Sequence, residues 1–153
     1  EACKKTNKKL KVFGDGIDLV RLKQIAGNDK NIEFLGRVND EIKAQLYGKC
    51  LAFINPQEED FGITAVESQA AGRPVIAYKS GGALESVQDG VTGIFFDEQK
   101  VDSLVEAINS FDASKFNPEI IKRHAEQFSV GRFKKEISEF IEEEYKKFKS
   151  ASA

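Results

Sequence analysis

Five short apolar, β-prone runs are spaced along the chain, and each is followed by a stretch with helical signals. Leu10-Lys11-Val12-Phe13 is stopped by Gly14-Asp15-Gly16, and residues 17–26 then read as a helix stopped by Gly27-Asn28. Ile32-Glu33-Phe34-Leu35 is a second strand, ended by Gly36 and followed by a helix over 40–47 with Asn39 or Asp40 as its cap. Leu51-Ala52-Phe53-Ile54 is a continuous apolar run, as expected of a strand buried on both faces. After Asn55-Pro56 and the polar loop 57–61, a helix is expected over 62–71, stopped by Gly72-Arg73-Pro74. Val75-Ile76-Ala77-Tyr78 and Gly93-Ile94-Phe95-Phe96 are the last strands, with a short helix over 83–87 between them; 101–111, 118–128 and 130–148 read as helices. Such an alternation forces an α/β class: a Rossmann-like parallel sheet, with right-handed crossovers laying helices on both faces. Ligands then bind beyond the carboxyl ends of the strands, where the loops 14–16, 36–38, 55–61 and 79–82 should share one edge.

Length and composition narrow the function classes. The 153 residues suit one domain, and 41% hydrophobic residues suffice for a packed core. A net charge of −2 disfavours a nucleic-acid binder. No run of about 18 apolar residues occurs, so no transmembrane helix is expected. Two cysteines, Cys3 and Cys50, and one histidine, His124, are too few for a disulfide framework or a zinc cluster, which favours a reduced, cytoplasmic compartment. His124 lies in a polar stretch and reads as a surface residue. The chain contains no methionine, which implies a fragment or a processed chain.

The informative stretch is 55–85. A loop carrying Glu58, Glu59 and Asp60 runs into Phe61-Gly62 and a helix holding Glu67. At about 100° per residue, Ile63, Val66, Ala70 and Ala71 form an apolar stripe with Glu67 inside it. A carboxylate on a core-facing stripe must be paired or hydrogen-bonded, and pairing with Arg73 or capping a backbone would suffice. The functional alternative is a ligand site. Free N–H groups at the start of this helix favour a phosphate, and a carboxylate one turn further in can accept from a pair of sugar hydroxyls. Gly62 allows close approach to the backbone, and Gly81-Gly82 offers a second exposed-backbone loop for an anion. Two shorter motifs do not hold: Asp60-Phe61-Gly62 lacks every companion signature of a kinase, and Gly14-Asp15-Gly16 lacks the third glycine of a dinucleotide fingerprint.

At these residues the sequence resembles the C-terminal, donor-binding domain of glycosyltransferase family 4, in particular its mannosyltransferase-like members. The resemblance rests on Glu59-Asp60-Phe61-Gly62-Ile63-Thr64-Ala65-Val66-Glu67 with its Glu-x7-Glu spacing, on Ala71-Gly72-Arg73-Pro74-Val75, and on Ser80-Gly81-Gly82-Ala83-Leu84-Glu85. Gly14-Asp15-Gly16, Phe34-Leu35-Gly36-Arg37-Val38 and Asp89-Gly90-Val91-Thr92-Gly93 also fit. It implies a GT-B architecture of two Rossmann-like domains, of which 1–153 is the nucleotide-sugar donor-binding one and the acceptor-binding N-terminal domain is absent. By the same resemblance, Glu67 holds the ribose hydroxyls and Glu59, the catalytic candidate, holds hydroxyls of the transferred hexose. The N–H groups of Phe61, Gly62, Ile63 and Thr64 face sugar and diphosphate, and Val38 meets the base. Gly14, Gly16 and Lys79 complete the donor-binding set. No metal ion and no cofactor is implied, since the nucleoside-diphosphate sugar is the substrate. Asp60 stands where many members have glycine; it either reshapes sugar selectivity or sits in solvent.

The implied function is retaining transfer of a hexose, with GDP-mannose the first expectation and a UDP-sugar the second, to a glycan or lipid-linked acceptor. A non-catalytic nucleotide-sugar module and a sugar-nucleotide epimerase of the same fold are the alternatives. The implied location is cytoplasmic, or peripheral at the inner membrane face through the other domain. The stripe Phe133, Ile137, Phe140, Ile141, Tyr145 and Phe148 reads as core packing, or as a helix crossing to that other domain. The family's donor domain also opens with a central strand, so a slot is expected between strands 10–13 and 51–54.

Overall fold

The computed structural model describes residues 1–151. Helix α1 (Ala2–Lys5) precedes strand β1 (Leu10–Phe13), α2 (Leu19–Ala26) and β2 (Ile32–Gly36). Then follow α3 (Asp40–Lys49), β3 (Phe53–Asn55), α4 (Ile63–Ala70), β4 (Val75–Tyr78), α5 (Ala83–Ser86) and β5 (Gly93–Phe96). The chain ends in α6 (Val101–Ser110), α7 (Pro118–Ala125) and α8 (Val130–Ala151), with single 3-10 turns at Ala113–Lys115 and Glu126–Phe128. This is the α/β architecture expected, with every strand pair parallel.

The sheet is in two pieces. β1 pairs only with β2, and β3, β4 and β5 form a separate three-stranded sheet in that order. The expected slot is therefore present: the inner edges of β1 and β3 do not pair with each other. Side chains span it. Leu10 of β1 and Ala52 and Ile54 around β3 pack on the same buried cluster as Ala2, Cys3, Ile76, Phe96 and Ile108. Tyr47 of α3 sets its ring edge-on to Phe13 of β1, at 5.8 Å, and to Phe53 of β3, at 5.6 Å.

β4 is the centre of the larger sheet. Successive strand residues face opposite sides, so Val75 and Ala77 pack towards Ala65, Ala83 and Val87, while Ile76 packs towards α1 and α6. Burial of both faces explains the unbroken apolar run at Val75–Tyr78. The run at 51–54 has a different outcome. The strand begins at Phe53, Leu51 is 70% exposed, and Asn55 is the buried last residue. β3 still packs on both faces, Phe53 with Ala65 and Val75 and Ile54 with Ile76 and Phe96, though both side chains stay partly buried. Ile17 is fully exposed, because the helix starts at Leu19.

Caps fix the helices that matter. Asn39 accepts from the Ile42 N–H at 2.9 Å and starts α3, with Asp40 and Glu41 in its first turn. Asn117 caps α7, with Pro118 at its first position. The stripe on α8 does not pack into the domain core: Phe133, Ile137, Phe140, Ile141 and Tyr145 are all exposed. Among the described residues no helix is long and apolar enough to cross a membrane.

The slot has a measurable consequence. In hydrogen exchange, the β4 amides should be the best protected. The slot-facing amides of β1 and β3 should exchange at least about tenfold faster, because only local opening is needed to expose them. Equal protection across β1, β3 and β4 would show that strands pair across the slot.

Candidate functional site

The sharp turn after β3 is built by Gly62. It sits at φ 81°, a left-handed conformation that side chains resist, and serves as the N-cap of α4 without any side-chain cap. The Ala65 N–H is the first to be taken up, by the Gly62 carbonyl at 3.0 Å. The N–H groups at Ile63 and Thr64 thus form the open end of the helix, where an anion is favoured. Glu59 lies beside this end, half-buried, with Oε2 3.1 Å from where a Cβ on Gly62 would stand. The Gln57 side-chain amide donates to its Oε1. Asp60 is exposed, and Phe61, 42% exposed, rests edge-on against Phe128 at 5.6 Å.

Glu67 does not lie on a core stripe. The buried face of α4 is Ala65, Ser68 and Gln69, while Ile63 and Ala70 are exposed. Counting turns from Ile63 misplaces the face because the small and polar residues, not the aliphatic ones, meet β4 and α7. Glu67 points instead towards α3. Lys43 Nζ donates to its Oε1 at 2.7 Å, and the Tyr47 hydroxyl donates to its Oε2 at 3.1 Å. The expected partner Arg73 is turned away and donates to the Gly48 carbonyl. Lys43 also approaches Asp40, at 3.3 Å.

Lys43 and Tyr47 were not among the sequence candidates. Their separation of four residues on α3, which stacks them on one face, was the available signal. The hydrogen bond to Glu67 holds the Lys43 ammonium above its usual range. Burial, followed by the negative charge of Glu67, pushes the Tyr47 hydroxyl far up, so it remains a donor. These side chains line an open depression of about 460 Å³ between α3 and α4, with Asp40, Ala44, Ala70 and Ala71 on its walls.

The glycine pair has a different role from the one expected. The Gly82 N–H donates to the Glu59 carbonyl at 2.7 Å, so it is not open to an anion. A Cβ on Gly82 would stand 2.5 Å from the Asp60 carbonyl oxygen and from Phe61 Cα. Gly81-Gly82 lets two backbones touch, and that contact fixes the loop bearing Glu59. The remaining candidates have other partners. Gly14, at φ 112°, donates its N–H to the Gly36 carbonyl at 2.8 Å, and a Cβ at Gly14 or Gly16 meets nothing within 4 Å. Val38 is half-buried between Gly36 and α3. Lys79 is exposed and lies 3.6 Å from Asp97. His124 is half-buried rather than on the surface, with Nε2 3.1 Å from the Ser86 carbonyl oxygen. Among the described residues no three His, Cys, Asp or Glu side chains are grouped to hold a metal ion.

Comparison with known proteins decides the family. The model for glycosyl transferases group 1 matches residues 1–128. The chain belongs to this family. A glycosyltransferase of Methanocaldococcus jannaschii, itself uncharacterised, is 32% identical over 136 residues, which is 84% of this chain and 39% of that protein. The alpha-1,3/1,6-mannosyltransferase of Dictyostelium discoideum is 46% identical over 68 residues, or 44% of this chain and 16% of that enzyme. Among solved structures, HepE of Anabaena in complex with UDP and glucose superposes with a TM-score of 0.73 at 27% identity, over 88% of this chain and 40% of HepE. The fold is that of GT-B glycosyltransferases. The chain spans well under half the length of these relatives.

The role of the glycine pair can be checked. Gly82→Ala should destabilise the domain by about 1–3 kcal/mol, the range for inserting a methyl group into a tight contact, and shift the backbone resonances of Glu59, Asp60 and Phe61. Wild-type stability and unchanged spectra would show that the loop does not lean on Gly82.

Proposed function

We propose that the chain is the donor-binding domain of a family 4, Glu-x7-Glu glycosyltransferase that moves a hexose from a nucleoside-diphosphate sugar to a glycan or lipid-linked acceptor. One observation carries this reading. The Glu67 carboxylate is held from behind by Lys43 and Tyr47 at an open depression, one turn inside a helix whose first N–H groups are free. An ionised carboxylate offers about four acceptor positions, so each oxygen keeps one for a ribose hydroxyl. The diphosphate then meets the N–H groups at Phe61, Gly62, Ile63 and Thr64, and Glu59 meets the hexose.

The chemistry follows from that placement. Negative charge grows on the diphosphate as its bond to the sugar C1 breaks, and a preorganised helix N-terminus stabilises it where it forms. Lys79 can add to this, since its pairing with Asp97 is exposed and weak. The transfer retains configuration and uses no metal ion or cofactor in this reading. Val38 is assigned to the base, and Gly14 and Gly16 to the donor-binding set.

Mannose is the favoured hexose, supported by the similarity to the Dictyostelium mannosyltransferase, and a UDP-sugar is the second choice, supported by the likeness to HepE bound to UDP and glucose. The acceptor belongs to a partner N-terminal domain, and the exposed apolar face of α8 is a surface that such a domain can cover. A cytoplasmic setting, peripheral to the inner membrane face through that domain, fits this substrate set.

The two glutamates separate by experiment. Glu67→Gln should weaken binding by about 1–3 kcal/mol, for bare nucleoside diphosphate and sugar nucleotide alike, because ribose is common to both. Glu59→Gln should instead erase the advantage of the sugar nucleotide over the bare diphosphate. In the complete enzyme it should lower turnover more than nucleotide affinity. Calorimetry decides. Unchanged diphosphate affinity in Glu67→Gln would end the ribose assignment, and a collapse of diphosphate affinity in Glu59→Gln would reverse the two roles.

A further inference from the structure

We propose that Lys43 and Tyr47 are positioning residues that set the Glu67 carboxylate to receive the ribose diol of a nucleoside diphosphate, an inference that rests on the ribose reading of Glu67 above. A glutamate side chain has three rotatable bonds, and alone in an open depression it would sample many orientations. Here both of its oxygens are tied. Lys43 Nζ lies 2.7 Å from Oε1 and the Tyr47 hydroxyl 3.1 Å from Oε2, so the carboxylate plane is fixed by two donors arriving from α3. The second acceptor position on each oxygen is left over, a matched pair suited to two neighbouring hydroxyls.

The two donors are themselves fixed, each in its own way. Tyr47 is 3% exposed and its ring is wedged between Phe13 and Phe53, so its hydroxyl cannot follow a moving ligand. Lys43 keeps a quarter of its side chain exposed and divides its ammonium between Glu67 and Asp40. A charge-assisted contact that is partly shielded from water is stronger than one on the open surface.

The test uses the full 153-residue chain with UDP and GDP, and with analogues of each that lack both ribose hydroxyls. Binding is followed by titration of protein resonances. Lys43→Met should weaken the ribose-bearing nucleotides on the order of tenfold and the dideoxy analogues by less than about twofold. Lys43→Arg should restore most of the loss. Tyr47→Phe, which keeps the ring and removes only the hydroxyl, should give the same preference at a few-fold level. Glu67→Gln should remove the discrimination between the two nucleotide kinds altogether. If Glu67→Gln discriminates as wild type does, the ribose reading beneath the proposal fails. If Glu67→Gln behaves as expected while Lys43→Met and Tyr47→Phe keep full discrimination, the ribose reading stands and the positioning role is wrong. Equal losses on both nucleotide kinds in Lys43→Met would also overturn it, by making Lys43 a phosphate contact.

Discussion

Tyr47 is where the fold and the site depend on one side chain. The two sheets share no backbone ladder, since β1 and β3 do not pair. Interior side chains hold them together instead, and the Tyr47 ring touches both, through Phe13 and Phe53. Its hydroxyl continues outward to Glu67. A buried tyrosine must place its O–H on a partner, and here the partner is the carboxylate of the proposed donor site. The geometry of the site is therefore tied to the relative position of the two sheets.

The second constraint is the contact of two loops. Parallel strands within a sheet send their following loops to the same end, which brings the turn after β3 next to the turn after β4. Gly81 and Gly82 let them touch backbone to backbone, and the Gly82 N–H holds the Glu59 carbonyl. Glu59 thus acquires a defined place from glycines more than twenty residues downstream. Gly62 adds the left-handed turn that aims the free end of α4 at the same region.

Much of this was legible in the sequence, for physical reasons that differ by element. The strands Leu10–Phe13, Val75–Tyr78 and Gly93–Phe96 matched their apolar runs, and Asn39 announced α3, because hydrophobic pattern and capping are local. The run at 51–54 overstates the strand, which is Phe53–Asn55: Leu51 lies outside it and is exposed, while Phe53 and Ile54 pack on opposite faces and are only partly buried. The α4 face was misjudged because Ser68 and Gln69, not Val66 and Ala70, face the interior; Gln69 is tolerated there by donating to the Ser86 carbonyl at 2.8 Å. The pairing of Glu67 with Lys43 joins residues 24 apart in sequence and belongs to tertiary packing. Nothing in either helix alone prefers Lys43 over Arg73.

The roles of Glu67, Lys43 and Tyr47 all depend on where the ribose goes, and a crystal structure of this chain with UDP or GDP reads that directly. The prediction is that both ribose hydroxyls lie within hydrogen-bond reach of Glu67, with Lys43 and Tyr47 still on their separate oxygens and the diphosphate at the start of α4. A nucleotide bound elsewhere, or one whose ribose leaves Glu67 contacted only by Lys43 and Tyr47, would contradict it.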